Sequence, residues 1–379
     1  MLKGINLTLM IGPLVPIPVS QTVLDALTQL EVKTDIHGPS GFKLVFKLDK
    51  RSPLHTLFLL SGGAPLLFMR VVIVVTLKGA AEVLMDGVIT NHQVAPGDGG
   101  ANPHLEVIGE DLTRLMDMQD FSGMPFPAMP AEARVALLLL KYSFLGVLPM
   151  VLPSVMIDVP IPTGNIPSQQ GTDLQYIKAL ADKVGYVFYL DPGPMPGMSK
   201  AYWGPQIKIG VPQPALNLDM DAHTNVESLT FNFDNTKNKI PTVYIYNEIS
   251  KVIIPIPIPP ITPLNPPLGI IPPLPTSLAD LRPVSPELSK YSIPKAIMIG
   301  LAKASLWAEA VTGRGSLNVL RYGHILKARQ LVGVRGVGPA YEGLHYVTSV
   351  THNIKRGEYT QSFELSRNGL LSTIPKVMP

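Results

Sequence analysis

The chain has 379 residues, of which 46% are hydrophobic and only 16% charged, and its formal net charge is +3. That length allows two or three domains, and the scattered basic residues exclude the electrostatic footprint of a nucleic-acid-binding protein. The lack of cysteine excludes disulfide frameworks and thiolate metal sites. The mean hydropathy of +0.25 leads us to expect that partner subunits or lipid cover much of the surface.

The apolar stretches are too interrupted to predict a transmembrane helix. Pro65 and Arg70 fall within the window 54–77, and the span 142–157 contains two prolines. Residues 1–6 do not start the charged and apolar pattern of a signal peptide. We therefore expect the chain to fold and assemble in the cytoplasm.

The first 110 residues have the pattern of antiparallel β structure. Two β-rich runs flank a turn at Lys78-Gly79, which is a hairpin signal. The β-favouring runs are 6–11, 42–48, 67–77, 81–94 and 104–109. After Ser20, a suitable N-cap, helical spacing is shared by Val23, Leu24, Leu27 and Leu30. We predict a first tube-like β-barrel domain over residues 1–110.

Residues 111–204 are predicted to form a mixed α/β insert. Helical patterns cover 111–118, 130–142 and 169–184, and Gly185 ends the last of them. A strand follows at 186–189, and then a turn-rich stretch that ends at 201–205. The region also holds four methionines that suit either an adaptable contact surface or gap-filling core: Met116, Met118, Met124 and Met129.

A second tube-like β-barrel domain is predicted over residues 205–372, followed by a tail at 373–379. Its strands are expected at 226–233, 242–247, 317–335, 344–354 and 358–367, with a helix at 295–311. The stretch 253–275 alternates Ile or Leu with Pro, which favours polyproline II geometry over sheet pairing. We expect this proline-rich insertion, at about 253–283, to project and contact a neighbouring subunit.

The sequence carries no convincing catalytic, cofactor or metal motif. His345 and His352 lack metal-ligand spacing and fit a strand. Asn217, Asp219 and Asp221 lack the glycine and distal Glu of a calcium loop, so a solvated turn is preferred. The glycines at 313–315 and 335–338 lack the ending of a phosphate loop, and hairpin turns explain both. We predict that the chain is not an enzyme.

Several short stretches, together with the order of the predicted pieces, resemble a known protein family over nearly the whole chain. In the insert they are Asp173-Leu174-Gln175-Tyr176, residues 181–189 and Tyr202-Trp203-Gly204-Pro205. Towards the C-terminus they are Leu320-Arg321-Tyr322-Gly323, Lys327-Ala328-Arg329, Tyr341-Glu342-Gly343, 346–352 and 357–363. The family that these stretches resemble is the phage late-control protein D family. Two features depart from the family: the proline-rich insertion, and the lack of spike repeats or an enzyme domain after Arg367.

The resemblance implies a central baseplate hub of contractile tails and injection systems, similar to the N-terminal part of type VI spike proteins. It also implies a homotrimer whose two barrels alternate in a ring, which adapts a six-fold inner tube to a three-fold spike. The spike would then be a separate chain. The alternatives are a membrane-associated protein and a tail-tip cell-wall hydrolase. We expect four arginines to act at subunit contacts or in the channel wall, or only to solubilise strands: Arg321, Arg329, Arg335 and Arg356.

Overall fold

The computed structural model describes residues 4–13, 15–36, 38–48, 54, 69–96, 103–154, 166–234, 240–247, 251–258, 266–271, 281–283, 293, 296–297, 299–301, 304 and 309–373. The fold is mainly β with a small mixed region, as the sequence predicted. No helix among these residues is both long and apolar enough to cross a membrane.

The described part of the first β region forms seven strands and one short named helix. Buried apolar residues alternate along several of these strands and build the core on one face of the sheet. The elements are β1 Ile5–Pro13, β2 Ile17–Pro18, α1 Gln21–Ala26, β3 Leu27–Asp35, β4 Gly41–Lys47, β5 Met69–Leu77, β6 Ala80–Ala95 and β7 His104–Asp111. The β5–β6 hairpin turns at Lys78-Gly79, as predicted.

Among its described residues, the mixed region packs three α-helices, a 3-10 turn at Ser143–Leu145 and a small sheet around a separate core that includes Trp203 and Ile177. Its elements are α2 Thr113–Met116, α3 Ala131–Leu140, β8 Val147–Val151, α4 Asp173–Val184, β9 Val187–Pro192 and β10 Ser199–Gly204. The order of its sheet is β8-β10-β9. The segment 201–205, predicted as turn-rich, thus supplies the central strand, because Ala201 and Trp203 are buried between both neighbours.

The second β region contains the remaining strands. They are β11 Gln213–Asn217, β12 Val226–Phe233, β13 Ile240–Asn247, β14 Val252–Pro257, β15 Gly269–Ile271, β16 Leu281–Pro283, β17 Val311–Asn318, β18 Leu331–Arg335, β19 Gly343–Lys355, β20 Glu358–Arg367 and β21 Leu370–Ser372, with α5 at Val319–Tyr322. The prediction of a single strand over 317–335 was wrong, because Asn318 caps α5 and Gly323 ends it, which makes the run strand, helix and strand. The helix predicted over 295–311 is confirmed at residues 296–297, 299–301 and 304, but it was extended too far, since Val311 begins β17.

One 13-stranded sheet joins the two β regions. Its order is β12-β17-β20-β19-β3-β4-β7-β6-β5-β1-β2, and β18 and β11 branch from β19. β3 of the first region pairs antiparallel with β19 of the second, from Asp35 opposite Ser349 to Gln29 opposite Lys355. The main apolar core draws on both regions, with Leu30 from β3 beside residues such as Val350 from β19. The β regions are therefore parts of one continuous structure.

The helix predicted from Val23 to Leu30 is too long. α1 ends at Ala26, and Leu27 already has extended backbone angles. Leu30 and Val32 lie in β3, where they are fully buried and face the core on alternate positions. Pairing of β3 with both β4 and β19 outweighs the helical spacing of the leucines, since it satisfies the backbone on both edges.

The prediction that the proline-rich insertion avoids sheet pairing is also wrong for its first part. β14 pairs with β13 over six residue pairs, including Tyr244 with Pro255 and Thr242 with Pro257. Hydrogen-bonding direction alternates along a strand, so prolines at every second position leave all their missing N–H groups on the same edge. The isoleucines between them remain able to pair. Residues 259–265 and 272–280 of the predicted insertion lie outside the described chain.

Candidate assembly surfaces

A buried ion pair fastens the first β region to the mixed region. The Arg70 guanidinium donates to both carboxylate oxygens of Asp86, at 2.7 and 2.6 Å, and both side chains are almost fully buried. It also donates to the backbone carbonyls of Leu145, at 2.8 Å, and Gly197, at 3.0 Å. Such a bidentate pair with further acceptors fixes both distance and angle between the regions it joins. No local sequence pattern predicts this arrangement, since Arg70 and its acceptors lie up to 127 residues apart.

Arg329 joins all three regions. Its guanidinium donates to the carbonyl of Asp35 in the first β region, at 3.0 Å, and to the Asp191 carboxylate in the mixed region, at 3.2 Å. It lies 4.0 Å from the centre of the Tyr189 ring, which is within the range of a cation–π contact. Its side chain is only 5% exposed. Arg329 was expected at a subunit contact, in the channel wall or as a solubilising strand residue, but its side chain is buried on partners within its own chain.

The other three arginines of that prediction have different surroundings. Arg321 is exposed in α5, and Arg335 ends β18 half-buried. Arg356 is exposed and donates to the backbone carbonyl of Asp25. The structure brings none of these three together with Arg329 into one site.

The linker that enters the second β region, residues 206–212, is anchored by a buried lysine. Lys208 is 2% exposed and donates to the Glu309 carboxylate at 3.1 Å. Its ammonium also lies 5.4 Å from the centre of the Tyr346 ring. A buried ammonium is tolerated only when it is paired, so these contacts determine which side of the linker faces inward.

The mixed region carries a group of exposed apolar side chains that lie close together in sequence and form its apolar patch. Its members are Leu137, Leu140, Phe144, Leu148 and Met150, from α3, β8 and the turn between them. The Phe144 side chain is 70% exposed. Between residues 135 and 152 the sole charged residue is Lys141, whose ammonium is bonded to Asp173 at 3.2 Å. A neutral patch of this kind is typical of a surface that another protein covers.

The methionines divide between the two roles that the sequence left open. Met116 is buried in the core of the mixed region, and Met129 packs against that core. Met118 and Met124 are exposed. Only the latter pair is available as a contact surface.

Two predicted features, the strand position of the two histidines and the turn at residues 217–221, are found in the structure. His345 and His352 are both buried in β19, and the His352 ring nitrogen Nδ1 lies 2.8 Å from the Tyr359 hydroxyl. Asp219 and Asp221 have positive φ angles in a turn that the Asn217 amide bridges to the carbonyl of His223. Within the described chain, no group of three or more His, Cys, Asp or Glu residues could hold a metal ion.

The two glycine motifs differ from each other. Gly336 and Gly338 have positive φ angles in the connection between β18 and β19, which agrees with the predicted hairpin turn. Gly313 and Gly315 instead lie in the middle of β17, so the turn predicted there was wrong. A Cβ atom at Gly313 would lie 2.6 Å from the Phe231 ring, and glycine leaves room for the ring.

Comparison with known proteins gives likeness of structure without likeness of sequence. No protein-family model and no curated protein matches the sequence. The structure is similar to a tail protein from Neisseria meningitidis MC58, with 13% identity, a TM-score of 0.64 and coverage of 97% of this chain and 98% of that one. It is similar to the 43 kDa tail protein of prophage MuSo2 from Shewanella oneidensis, with 12% identity, a TM-score of 0.62 and coverage of 96% and 98%.

The Francisella PdpA-VgrG complex, in its lidded form, is a further similar structure. Identity is 10% and the TM-score is 0.60, and the match covers 100% of this chain but 55% of the other. The resemblance to phage tail and injection-system proteins is thus confirmed at the level of the fold. The chain has the fold of these tail proteins and of the matching part of the Francisella complex.

Proposed function

We propose that the chain is the structural baseplate hub of a phage tail or contractile injection particle, where it adapts a six-fold inner tube to a three-fold spike. The observation that carries the proposal is the match to two tail proteins over nearly the full length of both partners. Such a match includes both β regions and the region between them. A fragment match would carry the fold of one domain only.

The internal contacts support a role in assembly. Arg70 and Arg329 use buried, charge-assisted hydrogen bonds to hold regions of the chain in fixed relative positions. A subunit that transmits position from a tube to a spike needs such rigidity. The chain also presents neutral apolar surface, such as the patch around Phe144, which suits contact with other baseplate subunits.

A homotrimer follows from the same proposal. Each chain contributes two β regions, so three chains make a ring of six β units that an inner tube can meet, with three-fold symmetry for a separate spike protein. The trimer is built in the cytoplasm and becomes part of the particle. Its inner surface positions neighbouring components and does not catalyse a reaction.

Deletion of the gene, followed by complementation and imaging of particles, tests the proposal. We expect cells without the chain to yield no tubes capped by a spike, and a density map of complemented particles to show three copies between tube and spike. A map that places the chain elsewhere in the particle would contradict the hub assignment. Particles from the uncomplemented deletion strain that keep a normal tip would contradict it as well.

A further inference from the structure

The linker between the mixed region and the second β region has its side chains reversed relative to an ordinary surface strand. Gln206 and Lys208 are buried, whereas Ile207 is 37%, Ile209 49% and Val211 93% exposed. An exposed segment normally turns its apolar side chains inward and its polar ones to water. The reversal is stable because Glu309 pairs with Lys208. It leaves a row of apolar side chains that face outward.

The backbone of this linker is also open. Between Pro205 and Pro212, the described part of the protein provides no hydrogen-bond partner for the backbone N–H groups of residues 206–211. The linker leads directly into β11, which has β18 as its one partner strand among the described residues. Unpaired backbone beside outward apolar side chains is the arrangement that accepts an added strand.

The same edge is covered by the chain itself along β11. Beside β11, the Asn225 side chain accepts from the Asn217 N–H at 2.8 Å and donates to the Ala215 carbonyl at 2.9 Å. The Asn225 N–H bonds to the Asn217 carbonyl at 3.0 Å. This capping blocks strand addition at the C-terminal half of β11. At the start of β11, Pro214 has no N–H group and its carbonyl accepts from the Tyr322 hydroxyl. The open edge is therefore confined to the linker.

The β1–β2 end of the main sheet has matching chemistry. β2 pairs with β1 at Met10 and Ile11, and the Val19 N–H just after β2 donates to the Leu9 carbonyl at 3.0 Å. No other described strand pairs with that edge of β1, so it is open from Ile5 to Thr8. Val15 and Ile17 beside it are 76% and 65% exposed. Residues 4–24 carry no charge, and neither do residues 209–218. Two neutral, apolar edges can meet without burying an unpaired charge.

We propose that the linker, residues 206–212, binds the β1–β2 end of a second copy of the chain. Because the two surfaces differ, the contact is head-to-tail, and repetition around an axis closes a ring in which every copy gives one edge and receives one. The inference rests on the proposed homotrimer and names the joint between its subunits.

Paired cysteine variants test the joint in the full-length chain, which has no cysteine of its own. We expect Val211→Cys mixed with Val15→Cys to form a covalent dimer under oxidation or with a short bismaleimide, and neither variant alone to do so. The double variant should give a closed covalent trimer on a non-reducing gel. As a matched control, Val211→Cys mixed with Val252→Cys, exposed on the β13–β14 hairpin, should not cross-link.

A charge placed in the linker gives a second, independent readout. Ile209→Lys should weaken self-association in sedimentation velocity at least about tenfold, while its circular dichroism spectrum stays that of the parent chain. Ile209→Val should associate as the parent does. If trimers form but Val211→Cys and Val15→Cys do not join, or if Ile209→Lys leaves association unchanged, the joint lies elsewhere and the hub proposal survives. If the parent chain never associates with itself, both proposals fail.

Discussion

At the scale of single residues, the buried pair Arg70–Asp86 is the contact whose loss should cost most. Removing one partner leaves the other charge buried without compensation, which costs about 3–5 kcal/mol. We expect Arg70→Ala to lower the free energy of unfolding in urea by about this amount. Arg314→Ala is the control, because its pair with Glu364 is largely exposed and contributes about 1 kcal/mol or less. Equal losses in the two variants would mean that the buried pair does not hold the regions together.

Two buried histidines predict how stability depends on pH. Burial lowers the pKa of His345 and of His352 to about 3, and nearby Arg367 adds to the effect on His345. In the unfolded chain a histidine has a pKa of about 6.5, so between these values the unfolded state binds protons that the folded state does not. Their stabilising contribution is complete above about pH 6.5 and is lost as the pH falls towards 3.

The size of that loss can be measured by difference. At pH 5 each histidine should cost about 2 kcal/mol relative to pH 7. The variant His345→Gln should therefore show a flatter fall in the free energy of unfolding over this range, whatever its absolute stability. His324→Gln, at an exposed position, should keep the parent slope. A parent slope in His345→Gln would show that His345 is protonated in the folded state.

At the scale of elements, two helix starts offer a matched test of capping. Thr172 caps α4 through a full capping box with Gln175, and its hydroxyl also donates to Asp117 at 2.6 Å. Ser20 begins α1 but makes no capping hydrogen bond. Thr172→Ala should lower the free energy of unfolding by about 1 kcal/mol or somewhat more, and Ser20→Ala by much less. Thermal denaturation of both variants measures the difference; equal shifts would contradict the assigned cap.

The prolines of β14 predict that the edge of β14 that is not paired with β13 is protected against pairing with another chain. Pro255 and Pro257 deprive that edge of N–H donors, while β14 keeps its pairing with β13. Pro255→Thr with Pro257→Thr should restore the donors and make the chain associate more strongly with rising concentration, seen by light scattering. Ile253→Thr, which reduces apolar surface at the same hairpin, should not. Unchanged association in the double proline variant would show that the prolines do not protect this edge.

The elements that the sequence predicted well are those whose limits are encoded locally. α4 ends at Gly185 in a left-handed conformation, and the β5–β6 hairpin turns at Lys78-Gly79. Predictions failed where a distant strand decides the outcome, as for Leu30 in β3 and for β14. The joining contacts of Arg70 and Arg329 were out of reach for the same reason. Arg329 was singled out as an arginine, but its partner Asp35 lies 294 residues away.

At the scale of the whole molecule, the predicted pair of barrel domains and the observed continuous sheet differ in whether each β region could be stable alone. Two separate barrels would each close their own edges and could fold alone. In the structure, β3 is an interior strand because β19 of the other region pairs with it over seven residues. The core likewise combines residues from both regions. Each β region therefore depends on a strand and on core residues of the other region for part of its stability.

This predicts that neither half of the chain is stable by itself. Residues 1–204 alone would leave the β3 edge unpaired and expose core residues such as Leu30 and Val32, so we expect this fragment to be insoluble or to associate through that edge. Co-expressed with residues 205–379, it should form a soluble complex, since β19 then pairs with β3 and Arg329 again reaches Asp35. Thr34→Pro in the first fragment is the control: it removes an N–H within the pairing opposite Val350 and should weaken that complex. A first fragment that is monomeric and melts cooperatively alone would instead show that the β regions are independent domains.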